Sequence, residues 1–149
     1  MIAHHEAMAA ALAEARLAGE AGEVPIGAVV VFEGRIIAAG QNSVLRRLDP
    51  TAHAEIVAMR EAAHALGNYR LLGCTLYCTL EPCAMCAGAL IHARVGSLVY
   101  AAPDPKAGAC GSVLSVLNHP QLNHQMPVEQ GVLAGESAEL LRSFFRDRR

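Results

Sequence analysis

The strongest constraint on the fold of this chain comes from one histidine and two cysteines that lie far apart in the sequence. His53 is followed after one residue by Glu55, and Cys83 and Cys86 follow Pro82 in the pattern P-C-x-x-C. One imidazole and two thiolates form a ligand set that zinc accepts while a fourth position stays open for water. We therefore expect these three residues to bind one Zn2+ ion, and the fold must bring the two stretches together.

The order of apolar segments predicts an α/β fold. Periodicity and turn residues predict the following elements: helices over 4–18, 52–66, 83–92 and 137–149, strands over 24–32, 35–39, 75–80, 97–102 and 128–133, and a short helix near 113–117. Strands that alternate with helices predict parallel pairing and right-handed crossovers. We expect a single domain over 1–149, built as a three-layer α/β/α sandwich around a mixed sheet of about five strands.

Both ligand stretches are expected at the beginnings of helices. Thr51 is a candidate N-cap for the second helix, and Pro82 suits the first turn of the third. His53 and Glu55 would diverge by about 200° within a helix, but a metal beyond the helix end can be reached from several directions. Two helix N-termini would then direct partial positive charge at one site, which favours thiolates there.

Glu55 is the candidate for proton transfer. Zinc with two thiolates and one neutral imidazole carries no net charge, so it acidifies its water less than a three-histidine site, where the pKa of the water is about 7. A nearby base is then useful. Glu55 would take a proton from the attacking water, would then protonate a ring nitrogen, and would later protonate the departing ammonia. This is the chemistry of hydrolytic deamination.

Two other interpretations of the same cysteines stay open at this point. Cys78, on the preceding strand, could be a fourth ligand and close a structural zinc site in a binding module without turnover. Alternatively, Cys83 and Cys86 could form a redox pair, which would leave His53 and Glu55 without a role.

Composition limits the classes of partner. The formal net charge is −2, so any basic surface for nucleic acid must be local. Only 17% of the residues are charged and 53% are hydrophobic, which indicates either apolar surface buried against a second copy or simply an alanine-rich chain. Five cysteines fit a reducing cytosol better than a disulfide framework. With no visible signal peptide and no apolar run long enough for a bilayer, we expect a cytoplasmic protein without a membrane partner.

Several motifs together resemble those of the bacterial tRNA-specific adenosine deaminases, within the cytidine deaminase-like superfamily. The pair H-x-E and P-C-x-x-C marks zinc nucleobase deaminases in general. Narrower similarities lie at 23–29, Asn42, 49–55, 79–83, 104–112 and 144–149. The resemblance covers nearly the whole chain and implies a cytidine deaminase-like fold.

The resemblance also implies an activity and a site. The activity is deamination of adenosine to inosine at the wobble position, 34, of a tRNA anticodon, by a homodimer with one Zn2+ per subunit. His53, Cys83 and Cys86 are implied as ligands and Glu55 as the proton shuttle. The implied substrate-binding residues are Asn42, which would hold the target nucleoside by its amide, Ala54, Asp104, whose loop would touch the neighbouring nucleotide, and Phe145 and Arg148.

The last predicted helix offers a local basic surface. Arg142, Arg146 and Arg149 recur at helical spacing, with Phe145 and Arg148 beside them. An arginine stripe on a helix is commonly a solvated face. Given the resemblance, we expect part of it to contact the tRNA anticodon stem-loop, and we expect Phe144 to pack in the core.

A free nucleobase or nucleotide deaminase of the cytosine or guanine type is the rival enzyme class. Its zinc chemistry would be the same. The loop 104–112 and the C-terminal helix discriminate between the two, because a small-molecule deaminase needs no arginine stripe.

Overall fold

A computed structural model describes residues 2–148. The helices are α1 (His4–Glu20), α2 (Val44–Arg47), α3 (Ala54–Leu66), α4 (Ala84–His92) and α5 (Ala134–Arg146). The strands are β1 (Gly27–Phe32), β2 (Arg35–Gln41), β3 (Thr75–Leu80), β4 (Ser97–Ala102) and β5 (Val128–Gln130). Every helix in this part of the chain is too short or too polar to cross a membrane.

The strands form one mixed sheet in the order β2-β1-β3-β4-β5. β1 pairs antiparallel with β2, to which a tight turn at Glu33 and Gly34 connects it, and also with β3. β4 pairs parallel with β3 on one side and with β5 on the other. The parallel pairs need the crossover connections that the alternating pattern predicted. The expectation of a mixed sheet of five strands is confirmed.

Helices cover both faces of the sheet, which confirms the three-layer α/β/α architecture. α3 and α4 pack on one face, where Val30, Leu76 and Leu98 are buried among their apolar side chains. α1 and α5 lie on the other face, where Val29 and Val99 point toward α1 and the start of α5. Neighbouring residues of a strand face opposite sides of the sheet, and helices cover both sides here. Both sets of side chains in β1 are therefore buried, and the strand is apolar almost without interruption.

Glycine allows α3 to lie directly against the sheet. A Cβ atom on Gly40 of β2 would collide with the backbone of α3 at Ala54 and Ala58. The first turn of α3 therefore packs closely on β2. This contact fixes the distance between the first turn of α3 and β2.

The N-cap predicted at Thr51 is wrong. The carboxylate of Asp49 accepts hydrogen bonds from the backbone N–H of Thr51, at 2.9 Å, and from its hydroxyl, at 2.7 Å. This local turn occupies the side chain that would have capped the helix. α3 begins two residues later than predicted, with His53 in the N-cap position.

The helix predicted near 113–117 is also wrong. These residues form an irregular segment, in which Ser115 pairs with Cys110 in an isolated bridge and only Leu117 belongs to a turn. The predicted last strand ends early, at Gln130, because Gly131 and Leu133 both have positive φ and turn the chain into α5. α5 accordingly begins at Ala134, before the predicted start. The short helix α2 was not predicted, since four residues carry no periodicity.

Candidate metal centre and active site

His53, Cys83 and Cys86 meet at the beginnings of α3 and α4. His53 is the N-cap residue of α3, Cys83 is the N-cap residue of α4, and Cys86 lies in the first turn of α4. Nδ1 of His53 lies 3.6 Å from Sγ of Cys83 and 3.6 Å from Sγ of Cys86. Zinc bound tetrahedrally at about 2.0–2.1 Å to nitrogen and 2.3 Å to sulfur would separate these atoms by roughly 3.6 Å. The donor set and its spacing therefore fit a zinc ion.

The site favours a thiolate even without a cation. Hydrogen bonds from the Cys86 thiol and from His53 lower the pKa of Cys83 to about 3. The same interaction with Cys83 raises the pKa of Cys86, together with burial. The hydrogen bond to Cys83 also raises the pKa of His53. A bound cation would replace these shared protons, because metal ligands must be deprotonated.

Cys78 lies outside the ligand cluster. The three ligand atoms of the cluster lie within 4.8 Å of one another, and within residues 2–148 no other group of this kind is found. Cys78 is fully buried on β3, and burial raises the pKa of its thiol well above the ordinary value. This environment favours a neutral thiol. The cluster thus offers three ligand atoms, which is the number that a catalytic zinc site takes from the protein.

Glu55 lies beside the ligands with its carboxyl group almost fully buried. The residue is 4% exposed and lies in the first turn of α3. Burial raises the pKa of this carboxyl group. The divergence expected for residues two apart in a helix does not arise, because His53 precedes the helix, and both side chains line one cavity. A carboxyl group with a raised pKa is easier to protonate than an exposed one, which suits a group that accepts and then donates a proton.

The cavity next to these residues has a volume of about 150 Å3. It is lined by Ile26, Asn42, His53, Ala54, Glu55, Leu80, Glu81, Cys83, Asp104 and Ala107. A cavity of this size has room for one flat ring. Three of the predicted substrate-binding residues, Asn42, Ala54 and Asp104, thus lie around the same space as the ligands.

Asn42 presents an unused acceptor at this cavity. Its Nδ2 group donates a hydrogen bond to the carbonyl oxygen of Val24, at 3.2 Å. Its Oδ1 atom is buried and has no hydrogen-bond partner among the residues that the structure describes. A buried polar atom without a partner costs free energy, so its presence at a cavity indicates a ligand with a hydrogen-bond donor.

Two buried carboxylates near the site were not predicted. Glu23 is completely buried and accepts hydrogen bonds from the backbone of Leu45, at 3.1 Å, and Arg46, at 2.9 Å. Burial raises its pKa, but these hydrogen bonds outweigh burial and the pKa is lowered. Glu81 lines the cavity and is 2% exposed. The signal for both was an isolated acid within an apolar stretch, directly before or near a proline.

The residues predicted on the last helix are exposed but partly paired. Arg142 forms an ion pair with Glu139, at 2.9 Å, and Phe144 is half-buried rather than in the core. The guanidinium of Arg148 stacks 3.8 Å above the ring of Phe144, and Phe145 is 54% exposed. Neither Phe145 nor Arg148 lines the cavity. Arg149 lies outside the described residues.

Comparisons with known proteins point to one class of enzyme. The family model of MafB19-like deaminases matches residues 2–149. The tRNA-specific adenosine deaminase of Agrobacterium fabrum is 51% identical over 142 residues, which cover 95% of this chain and 93% of that protein. A solved structure from a study of A-to-I editing by tRNA:A34 deaminases has a TM-score of 0.88 and 50% identity, covering 91% of this chain and 98% of that one. The guanine deaminase from Nitrosomonas europaea has a TM-score of 0.84 and 30% identity, covering 97% and 85%.

Proposed function

Because this chain belongs to the MafB19-like deaminase family, we propose that it deaminates adenosine to inosine at the wobble position, 34, of a tRNA anticodon, releasing ammonia. One observation supports this reaction above all: His53, Cys83 and Cys86 form a three-ligand cluster with the buried carboxyl group of Glu55 beside it. Similarity to the tRNA-specific adenosine deaminase of Agrobacterium fabrum, at 51% identity, supports the substrate.

The donor set suits Zn2+, with His53, Cys83 and Cys86 as its ligands. A bound zinc ion would supply Lewis acidity, which lowers the pKa of a coordinated water and makes it a nucleophile near neutral pH. Glu55 accepts one proton from the water that attacks C6 of the adenine ring and passes it to N1. It then takes the second proton from the new hydroxyl group on C6 and gives it to the amino group, which leaves as ammonia while C6 becomes a carbonyl carbon. The raised pKa of Glu55 suits a group that accepts and donates protons in turn.

The remaining cavity residues orient the nucleoside. Oδ1 of Asn42 accepts a hydrogen bond from a donor on the substrate, while the bond from its Nδ2 group to Val24 holds the amide in place. Ala54 and Asp104 line the space on either side. The cavity takes one base, so the target adenosine must leave its stack, which costs only a few kcal/mol or less in an anticodon loop.

The wider tRNA surface includes the end of α5. Phe145 exposes an aromatic face, and Arg148 is held by its stack on Phe144. An exposed aromatic ring next to guanidinium groups is a surface on which unpaired bases stack and phosphates bind. Phe145 and Arg148 therefore contact the anticodon stem-loop in this proposal.

The functional unit is a homodimer in the cytoplasm. A groove of about 850 Å3 runs between α3 and α4, and its lining is mainly apolar. The apolar lining residues are Ile56, Met59, Ala63, Leu71, Ala89, Ile91, Ala93, Val116 and Leu122. Three arginines, Arg60, Arg70 and Arg94, also line the groove. Its apolar part, on a chain with few charges, suits burial against a second copy. The five free cysteines need a reducing compartment to serve as thiols.

A guanine deaminase is the second candidate, because the enzyme from Nitrosomonas europaea shares this fold at 30% identity. The same zinc ligands and Glu55 would serve that reaction. The higher identity to the tRNA-specific relative, 51%, and the basic end of α5 favour the RNA substrate.

Removal and return of the metal test the proposed reaction. The purified protein is treated with a zinc chelator, then given one equivalent of Zn2+, and inosine is measured in an anticodon stem-loop RNA with adenosine at position 34. Activity should disappear on chelation and return with zinc. Cys78→Ala should bind zinc at the same stoichiometry as the wild type. Full activity in metal-free protein would contradict the proposal, and loss of zinc from Cys78→Ala would favour the closed structural site.

A further inference from the structure

Glu81 holds a loop at the mouth of the cavity. It follows the last residue of β3, and its buried carboxylate faces the segment 104–112, which we call the mouth loop. Oε1 accepts a hydrogen bond from the backbone N–H of Asp104, at 3.0 Å. Oε2 accepts two more, from Cys110, at 3.0 Å, and from Ser112, at 3.2 Å. The hydroxyl of Ser112 also donates to Oε1.

These four hydrogen bonds tie both ends of the mouth loop to one side chain. The loop contains no helix or strand. Its backbone makes other bonds: Gly108 donates to the carbonyl oxygen of Asp104, at 3.0 Å, Ala109 donates to that of Pro82, at 2.9 Å, and an isolated bridge joins Cys110 to Ser115. A buried carboxylate is tolerated only when its oxygens are satisfied, and the loop supplies those donors. Gly108 packs so closely on the carboxylate that a Cβ atom there would collide with it. The conformation of the loop is therefore built around Glu81.

The mouth loop forms part of the cavity wall and extends from it to the protein surface. Asp104 and Ala107 line the cavity, while Pro105 and Lys106 between them are exposed. The carboxylate of Asp104 shapes this tip, because it accepts hydrogen bonds from the backbone of Lys106, at 3.0 Å, and Ala107, at 3.3 Å. A cavity of about 150 Å3 has room for one base, so the nucleotides on either side of the target lie outside it, where the exposed tip of the mouth loop is one of the neighbouring surfaces.

We propose that Glu81 is a positioning residue that presents the mouth loop to the nucleotides adjoining the target adenosine. It acts through the loop and not on the reacting atoms, so it governs the affinity for RNA more than the rate of the chemical step. The inference rests on the proposed function, since only a substrate with flanking nucleotides reaches the exposed tip of the loop at Pro105 and Lys106. The backbone amides and Lys106 at the tip suit a phosphodiester backbone.

Kinetics of two variants test this role. Glu81→Gln replaces an acceptor oxygen by an amide donor that faces the loop N–H groups, and Ser112→Ala removes one donor from the loop side. Each should raise KM for the position-34 adenosine stem-loop by roughly tenfold, the size expected for a lost hydrogen bond to a charged acceptor, with kcat within about twofold of the wild type. The double variant should show less than the product of the two single effects.

The matched control is Ser97→Ala. The hydroxyl of Ser97 forms a hydrogen bond with the hydroxyl of Thr75, at 2.7 Å, at the end of β3 far from Glu81. Both KM and kcat should therefore stay unchanged in this variant. Zinc content is measured for every variant. If Glu81→Gln loses zinc, the KM of Ser112→Ala alone tests whether Glu81 positions the mouth loop.

Three results bear on the inference. An unchanged KM for Ser112→Ala would overturn it, as would a fall in kcat with KM unchanged in either variant that keeps its zinc. A wild-type protein that binds zinc but leaves the RNA unmodified would instead refute the proposed function, so the two failures are distinguishable.

Discussion

At the scale of single residues, Glu55 combines burial with proximity to the metal ligands. Replacing it by glutamine keeps the volume and removes the proton acceptor. We expect Glu55→Gln to fold, to bind one zinc ion per chain and to lower kcat by about 10²–10⁴-fold, the usual contribution of a positioned general acid–base. Single-turnover kinetics with metal analysis checks this. Loss of zinc or of the fold would mean that Glu55 is a structural residue.

Asn42 is the second residue with a specific expectation. Its Oδ1 atom is buried without a partner, so a substrate donor there gains a hydrogen bond in a site of low polarity. Asn42→Ala should reduce kcat/KM by about 10- to 100-fold, with zinc content unchanged. Steady-state kinetics on the stem-loop RNA measures the effect. A variant with wild-type kcat/KM would exclude a contact between Asn42 and the nucleoside.

The sequence predicted which residues form the metal cluster, but not the two buried carboxylates. Zinc ligands have a restricted chemistry, so one histidine and a C-x-x-C pair already indicate that His53, Cys83 and Cys86 must meet. Glu81 and Glu23 bind backbone N–H groups of loops. Those donors converge only in the folded conformation of each loop, and every residue type except proline carries the same N–H group. An isolated acid near a proline marks both positions in the sequence, but it does not indicate which N–H groups each carboxylate binds.

At the scale of elements, the strands and main helices were predictable because their apolar periods are regular. The hairpin and the parallel crossovers follow from turn residues and alternation. The errors lie where local hydrogen bonds compete with periodicity. The carboxylate of Asp49 accepts a hydrogen bond from the hydroxyl of Thr51, which can then no longer cap α3. The segment 113–117 is irregular because Ser115 pairs with Cys110 of the mouth loop.

The end of α5 carries a prediction of its own. If Arg148 contacts a phosphate, Arg148→Ala should weaken binding of the stem-loop. The plot of log association constant against log salt concentration should become less steep, by about 0.7–0.9. Arg35→Ala, on an exposed position of β2, is the matched control and should leave the slope unchanged. Fluorescence anisotropy at several salt concentrations measures both. Equal slopes for wild type and Arg148→Ala would show that Arg148 belongs to a solvated face.

At the scale of the whole molecule, the groove between α3 and α4 is the expected dimer interface. A charge introduced at the half-buried Ala89 should make the protein monomeric, because an unpaired charge is costly in an apolar interface. Ala9→Glu, on the exposed side of α1, is the control and should remain dimeric. Light scattering with size-exclusion chromatography gives the mass. A folded Ala89→Glu dimer, or a monomeric wild type, would contradict this assignment.

Deamination of adenosine 34 in a tRNA anticodon requires the whole molecule to act on a large substrate. Its most direct test is a turnover assay of zinc-loaded wild-type protein with four substrates in parallel: the stem-loop RNA with adenosine at position 34, free adenosine, free guanine and free cytosine. Inosine and ammonia are the readouts. We expect inosine at position 34 of the RNA and no turnover of free adenosine, guanine or cytosine. Turnover of guanine or cytosine with the RNA unmodified would contradict it and assign the protein to the small-molecule deaminases.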